Sequence, residues 1–294
     1  MTAIHEGYVP VSDGRVWYRV AGADRPGIPL LCLHGGPGAP HEYLETLEGF
    51  TDERPVVFFD QMGCGNSERP GDPEHWTIDA FVEELAEVRL ALGLSRMHLM
   101  GQSWGTILAV EYVLQKKPAG VVSLVLSGPV MSLPRFAADQ RRALEAMAPE
   151  RQQVIRRAEA AGDFTSRAYE EAMMEFYRVH VCRLDPWPDA MIQTMEKLDH
   201  GVYEYMQGPS EFTVTGTLKD YECVSRLGEL DLPVLYTCGE YDECTPAATR
   251  YYHEQTPGSE YVVFANASHE HHLEKPGEYL EKVGEFIRRA GRER

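Results

Sequence analysis

Short, continuous apolar runs recur along the chain at residues 28–33, 56–61, 97–100, 121–127, 232–238 and 260–264. Runs of this length with no polar alternation are what strands buried on both faces require, and they point to a parallel sheet. Residues 8–11 and 15–20 flank Ser12-Asp13-Gly14 and predict an antiparallel hairpin ahead of that sheet. Between the runs the period changes. Ile78, Phe81, Val82, Leu85, Val88 and Leu92 recur at helical spacing, with Asp79, Glu83, Glu84 and Glu87 on the other face. Residues 106–114, 246–255 (Pro246 in the first turn) and 276–289 also read as helices. Strand and helix alternating in this way imply right-handed βαβ units.

From Met131 to about Tyr221 the buried-strand texture is absent. Amphipathic helical stretches take its place at 136–147, 150–160, 169–182 and 190–198, interrupted by Asp185-Pro186-Trp187-Pro188. Because the strand–helix pattern resumes afterwards, this segment reads as an insertion. The expected organisation is a core from 1–129 and 226–294 with a helical cap at 130–225.

Composition narrows the class. The 294 residues are 43% hydrophobic and 25% charged, ordinary for a globular chain able to bury a sizeable core. A net charge of −18 argues against nucleic acid or an anionic membrane as partner, and fits solubility or a cationic ligand. Cys32, Cys64, Cys182, Cys223, Cys238 and Cys244 are scattered without a Cys-x-x-Cys pair, as expected of reduced, buried thiols. Residues 1–7 lack the basic and apolar segments of a signal peptide, and no run approaches the roughly 20 apolar residues of a membrane span. A cytoplasmic protein is expected.

The chemistry centres on Gly101-Gln102-Ser103-Trp104-Gly105, between the run at 97–100 and the helix from Thr106. Gly-x-Ser-x-Gly on a strand-to-helix turn presents the serine as a nucleophile, and the glycines let strand and helix approach closely. A serine hydroxyl needs a histidine to take its proton and a carboxylate to orient that histidine, in the chain order Ser, Asp/Glu, His. Asp242 and His269, each just past an expected parallel strand, satisfy the order and lie where such sites gather. Asp231 precedes its strand and would fall at the wrong edge. Glu240 and Glu243 flank Asp242 as alternative acids, and His271 and His272 crowd His269. The oxyanion needs two N–H donors: Trp104 N–H directly follows the nucleophile, and Gly36 N–H lies in His34-Gly35-Gly36-Pro37-Gly38, where Pro37 has none. A base at its ordinary value would lose activity below about pH 6.5.

Together with Asp60-Gln61-x-Gly63-Cys64-Gly65-x-Ser67, Gly239-Glu240-Tyr241-Asp242 and Ser268-His269, these motifs resemble the proline iminopeptidase family of α/β-hydrolases, serine peptidase family S33. The group includes the tricorn-interacting aminopeptidase and related amino-acid amidases, and the resemblance spans nearly the whole chain. It implies an α/β-hydrolase fold, with a mostly parallel sheet flanked by helices and an inserted helical cap. It implies a serine aminopeptidase releasing proline or another small apolar residue from short peptides, amides or arylamides, with Ser103 as nucleophile, His269 as base and Asp242 as orienter. No cofactor and no metal are implied. The substrate's free amino group would be bound by Glu211, in the segment 208–216, and by Glu243, with Tyr203 and Tyr205 as pocket walls. Two carboxylates in a water-poor cleft suit a terminal ammonium. Many proline-specific members carry Arg after Asp-Gln where this chain has Met62, so Ala or Leu is expected beside proline. An L-amino-acid amidase and an esterase are the competing readings, and a non-catalytic receptor on the same scaffold is a third. The expected partners are short peptides or amino-acid amides with a free N-terminus, and the chain is expected to be a monomer or a small homo-oligomer.

Overall fold

The computed structural model describes residues 3–293; Met1, Thr2 and Arg294 lie outside it, the first two within the N-terminal stretch read above. Eight strands form one sheet in the order β1-β2-β4-β3-β5-β6-β7-β8. The hairpin is β1 (Ile4–Val11) and β2 (Gly14–Ala21), and β2 pairs antiparallel with β4 (Val56–Phe59). From β4 onward every pair is parallel, through β3 (Leu30–Leu33), β5 (Met97–Gln102), β6 (Val121–Ser127), β7 (Val234–Gly239) and β8 (Glu260–Phe264).

Strand alternation sorts the apolar runs into two layers. Leu31, Leu33, Val57, Phe59 and Leu99 face one side, with α1 (Ile78–Ala91) and α2 (Trp104–Lys116). Leu30, Cys32, Val56, Phe58 and Met100 face the other. There they meet Tyr279, Val283, Phe286 and Ile287 of α10 (Pro276–Glu293), spaced to share one helix face. Apolar contacts on both faces explain why these strands read as unbroken runs rather than as alternation.

Five helices separate β6 from β7: α3 (Leu133–Glu145), α4 (Pro149–Ala161), α5 (Arg167–His180), α6 (Asp189–Lys197) and α7 (His200–Met206). α3 to α6 enclose a third apolar cluster around Tyr169, Phe176, Tyr177 and Phe212. α7 and the 3-10 turns at Glu42–Phe50 and Val224–Glu229 have no counterpart in the sequence pattern. The remaining helices are α8 (Pro246–Gln255) and the short α9 (His271–Glu274), which follows β8. All six cysteines are free and buried. Among the described residues no helix is long and apolar enough to cross a membrane.

Candidate active site

The turn from β5 into α2 puts Ser103 at φ 53° and ψ −123°, a backbone region that non-glycine residues rarely adopt. The flanking glycines are sterically required. A Cβ on Gly101 would lie 2.2 Å from the Gly105 carbonyl oxygen, and one on Gly105 would lie 2.3 Å from the Leu33 carbonyl oxygen. Strand, turn and helix are thus pressed together, and Ser103 faces a cavity of about 150 Å³.

Gly36, Ser103, Glu211, Glu243, His269 and Tyr203 all line that cavity. Gly36, Ser103, Trp104 and Glu211 also share a smaller recess next to it. The loop after β3 that carries Gly36 is tied down by Tyr43, whose hydroxyl accepts from Gly35 N–H (2.6 Å) and donates to Gln102 Oε1 (2.6 Å). The Asp-Gln string belongs to the same scaffold. Gln61 Oε1 accepts from the Trp104 indole (2.8 Å), and Gln61 N–H donates to His34 Nε2 (2.9 Å). Buried Asp60 accepts from His41 N–H and from Asn66 N–H. Those motifs therefore hold the Ser103 turn and the Gly36 loop in register. Met62 is packed in the core and its N–H donates to Glu84, so the departure at this position does not line the cavity.

Asp242 and His269 meet between the loops after β7 and β8: His269 Nδ1 donates to Asp242 Oδ1 at 2.8 Å. Asp242 is held by Gly239 N–H (3.2 Å) and Cys244 N–H (2.8 Å). His271 binds Thr237 Oγ1 and His272 binds the Tyr43 carbonyl; burial pushes their pKa values down to about 4 and about 3. Both are neutral structural histidines. Glu240 is turned away, accepting from Asn266 N–H. Gly128, which carries no motif in the sequence, makes room for the pair: at φ +55° its Cβ would lie 2.5 Å from His269 Cε1.

Burial opposes charge on His269, but the Asp242 carboxylate outweighs it and holds the imidazole well above its ordinary value. The ordinary imidazole value expected from the sequence is therefore corrected upward. Asp242, Cys244 and His269 offer ligand atoms within 4.8 Å of one another. Two of those groups are already bonded to each other, and burial keeps the Cys244 thiol protonated.

Glu211 and Glu243 are the acidic end of the cavity. Tyr203 Oη donates to Glu211 Oε1 at 2.5 Å. Glu243 Oε1 stands 3.7 Å from His269 Nε2, and Glu243 Oε2 is buried with no hydrogen-bond partner. Burial raises the Glu211 pKa, while Glu243 is raised well above the carboxylate range by burial and then by Glu211. Two buried carboxyls sharing one small cavity disfavour each other's charge unless a cation joins them. Among the described residues lining the cavity none is Lys or Arg. Tyr205 is not among them; it packs edge-on against Trp76, since positions two apart on α7 point to different faces. Tyr177 and Glu270, unforeseen from the sequence, also line the cavity.

The profile of the α/β hydrolase fold family matches residues 28–276. The proline iminopeptidase of Heyndrickxia coagulans is 42% identical over 276 residues, covering 94% of this chain and 96% of that protein. The proline iminopeptidase of Lactobacillus acidophilus is 36% identical, with 94% and 96% covered. The chain belongs to the proline iminopeptidase family. The crystal structure of the Mycobacterium smegmatis proline iminopeptidase superposes with a TM-score of 0.89 at 35% identity, covering 98% of this chain and 99% of that one. The crystal structure of VinJ superposes with a TM-score of 0.94 at 34% identity, with 97% and 99% covered. Both likenesses span the helical insertion as well as the sheet, so the whole architecture is the family's.

Proposed function

We propose that this family member is a serine aminopeptidase that releases an N-terminal residue, proline or another small apolar one, from short peptides, amides or arylamides. The observation carrying the reading is the pair Glu211 and Glu243, buried beside Ser103 and His269 in a cavity that, among the described residues, has no Lys or Arg in its lining. A substrate's terminal ammonium supplies the missing cation and ionises both carboxyls. A cavity of about 150 Å³ is of the size that holds one small ring. Its apolar wall of Met173, Val181, Met191, Met195 and Leu198 suits a short hydrocarbon side chain.

In the mechanism that follows, Ser103 Oγ attacks the carbonyl carbon as its proton passes to His269 Nε2. Asp242 steadies the imidazolium through Nδ1–H. The oxyanion is received by the N–H groups of Trp104 and Gly36. As the tetrahedral intermediate collapses, the C–N bond breaks and His269 gives its proton to the departing amine. Water, deprotonated by His269, then cleaves the acyl-enzyme and regenerates Ser103. The helical segment 130–225 serves as the cap, delivering Glu211 and Tyr203 and limiting the residue that fits. The six buried free thiols favour a reducing compartment, the cytoplasm.

A panel of aminoacyl arylamides, amides and esters, free and N-acetylated, tests the reading with Ser103→Ala as control. Prolyl and alanyl arylamides should be cleaved and their N-acetyl analogues should not. Equal rates on free and blocked substrates, or turnover by Ser103→Ala, would overturn it.

A further inference from the structure

Beyond the pair that takes the α-ammonium, the cavity contains a third buried carboxyl with nothing to do. Glu270 lines the same cavity and is 5% exposed. Its Oε2 has no hydrogen-bond partner. His272 Nε2 stands 3.6 Å away and already donates to the Tyr43 carbonyl at 3.0 Å. The backbone is committed too, since Glu270 N–H binds the Val181 carbonyl. Neither the proton transfers at Ser103 nor the α-amino contact uses this side chain. A buried carboxyl left unpartnered costs stability unless a ligand pairs with it.

We propose that Glu270 is a specificity-determining residue that accepts a cationic or hydrogen-bond-donating group at the tip of a short side chain on the N-terminal residue. The proposal rests on the aminopeptidase reading above. With the α-ammonium on Glu211 and Glu243, the side chain of that residue fills the rest of one small cavity; of the other buried polar atoms without a hydrogen-bond partner there, among the described residues, Gln102 Nε2 is a donor and Glu270 Oε2 is the acceptor. Residues such as 2,4-diaminobutyrate, with an ammonium two carbons beyond the α-carbon, then join proline and alanine as substrates. Burial pushes the Glu270 pKa up to about 8, with Asp242, Glu274 and Glu211 adding and His269 opposing. At neutral pH it carries a proton, which it gives up when a cation arrives. Pairing with a charged group in a buried site is worth roughly ten- to a hundredfold. Ionising Glu270 returns about tenfold of that at pH 7. The net preference expected is therefore up to about tenfold.

The test compares 2,4-diaminobutyryl and norvalyl arylamides, whose side chains differ only in ending on an ammonium or a methyl. The quantity read is the ratio of their kcat/KM values within each protein, so differences in the amount of folded enzyme cancel. The wild-type ratio should exceed that of Glu270→Met by about tenfold, with Glu270→Gln in between. The same ratio in all three proteins would overturn the proposal. So would an equal loss on both substrates, which would assign Glu270 to the α-amino contact or to the fold. Wild-type cleavage of N-acetyl-norvalyl arylamide at the free rate would instead sink the aminopeptidase reading, and this proposal with it.

Discussion

Replacing Glu243 by Gln removes one charge from the end of the cavity proposed to bind the amino group, while keeping its shape. A carboxylate and an ammonium about 4 Å apart at an effective dielectric near 20 attract by about 4 kcal/mol. Truncating one partner of a buried, hydrogen-bonded charge pair costs about 2–5 kcal/mol in binding. Part of this is offset, because Glu243 is raised well above the carboxylate range in the empty site and must lose a proton when the ammonium arrives. A net loss of about 2–3 kcal/mol corresponds to a fall of roughly 30- to 150-fold in kcat/KM. Most of it should fall on KM, since the ammonium is held in ground state and transition state alike. The pH dependence carries a second signature. In the wild type KM should decrease as pH rises through the raised range of the pair, because ionisation creates the binding site. In Glu243→Gln the Glu211 carboxyl loses the neighbour that competes with it for charge, so the same transition should move to lower pH. Steady-state kinetics on prolyl arylamide from pH 5 to 8 read both quantities. A variant within threefold of wild type, with an unmoved KM profile, would refute the amino-group assignment.

Three further outcomes follow from the geometry. The acidic limb of kcat/KM should lie above pH 6.5, because His269 is raised by Asp242 against the opposing effect of burial, and Asp242→Asn should move the residual limb down; a limb unmoved by that substitution would detach it from His269. Gly128→Ala should cut kcat by a hundredfold or more, as a misplaced catalytic group does, since its Cβ would meet His269 Cε1 at 2.5 Å. Circular dichroism should still report a folded chain; near-wild-type kcat would show that His269 sits elsewhere during turnover. Burial pushes the Glu84 pKa up to about 8 in the folded chain, against an ordinary value of 4.5. Its contribution to stability is therefore full below pH 4.5 and lost as pH rises toward 8, at about 1.4 kcal/mol for each pH unit crossed. Thermal melts should show Glu84→Gln losing less Tm than wild type between pH 5 and 8; parallel declines would contradict this.

Much of the architecture was legible because β3 to β7 are covered on both faces, and a doubly covered strand leaves an unbroken apolar run. The strand-to-helix turn at Ser103 was equally plain, since Gly101 and Gly105 are forced by contacts under 2.5 Å that no side chain could tolerate. Chain order brought Asp242 and His269 forward as candidates, and they hydrogen-bond to each other. Other features left weaker traces. Tyr203 and Tyr205 looked equivalent until α7 was known to be helical, after which their spacing sends one to the cavity and the other to Trp76. Glu270 was hidden among His269, His271 and His272, where only the cavity separates the groups by role. Gly128 follows β6 with no motif around it, and its purpose appears only when His269 returns from far along the chain. Tyr43 is 59 positions from the Gln102 it braces, a separation that leaves no local signature.

Everything proposed for this cavity requires that an acyl group from a substrate with a free α-amino group pass through Ser103. Acid-quenching the enzyme during turnover of an alanyl or prolyl ester, followed by peptide mass spectrometry, tests that passage directly. The expected result is an aminoacyl adduct on the peptide carrying Ser103, absent from Ser103→Ala and absent with the N-acetylated ester. Turnover with the adduct on another residue, or an equal adduct from the blocked ester, would contradict it.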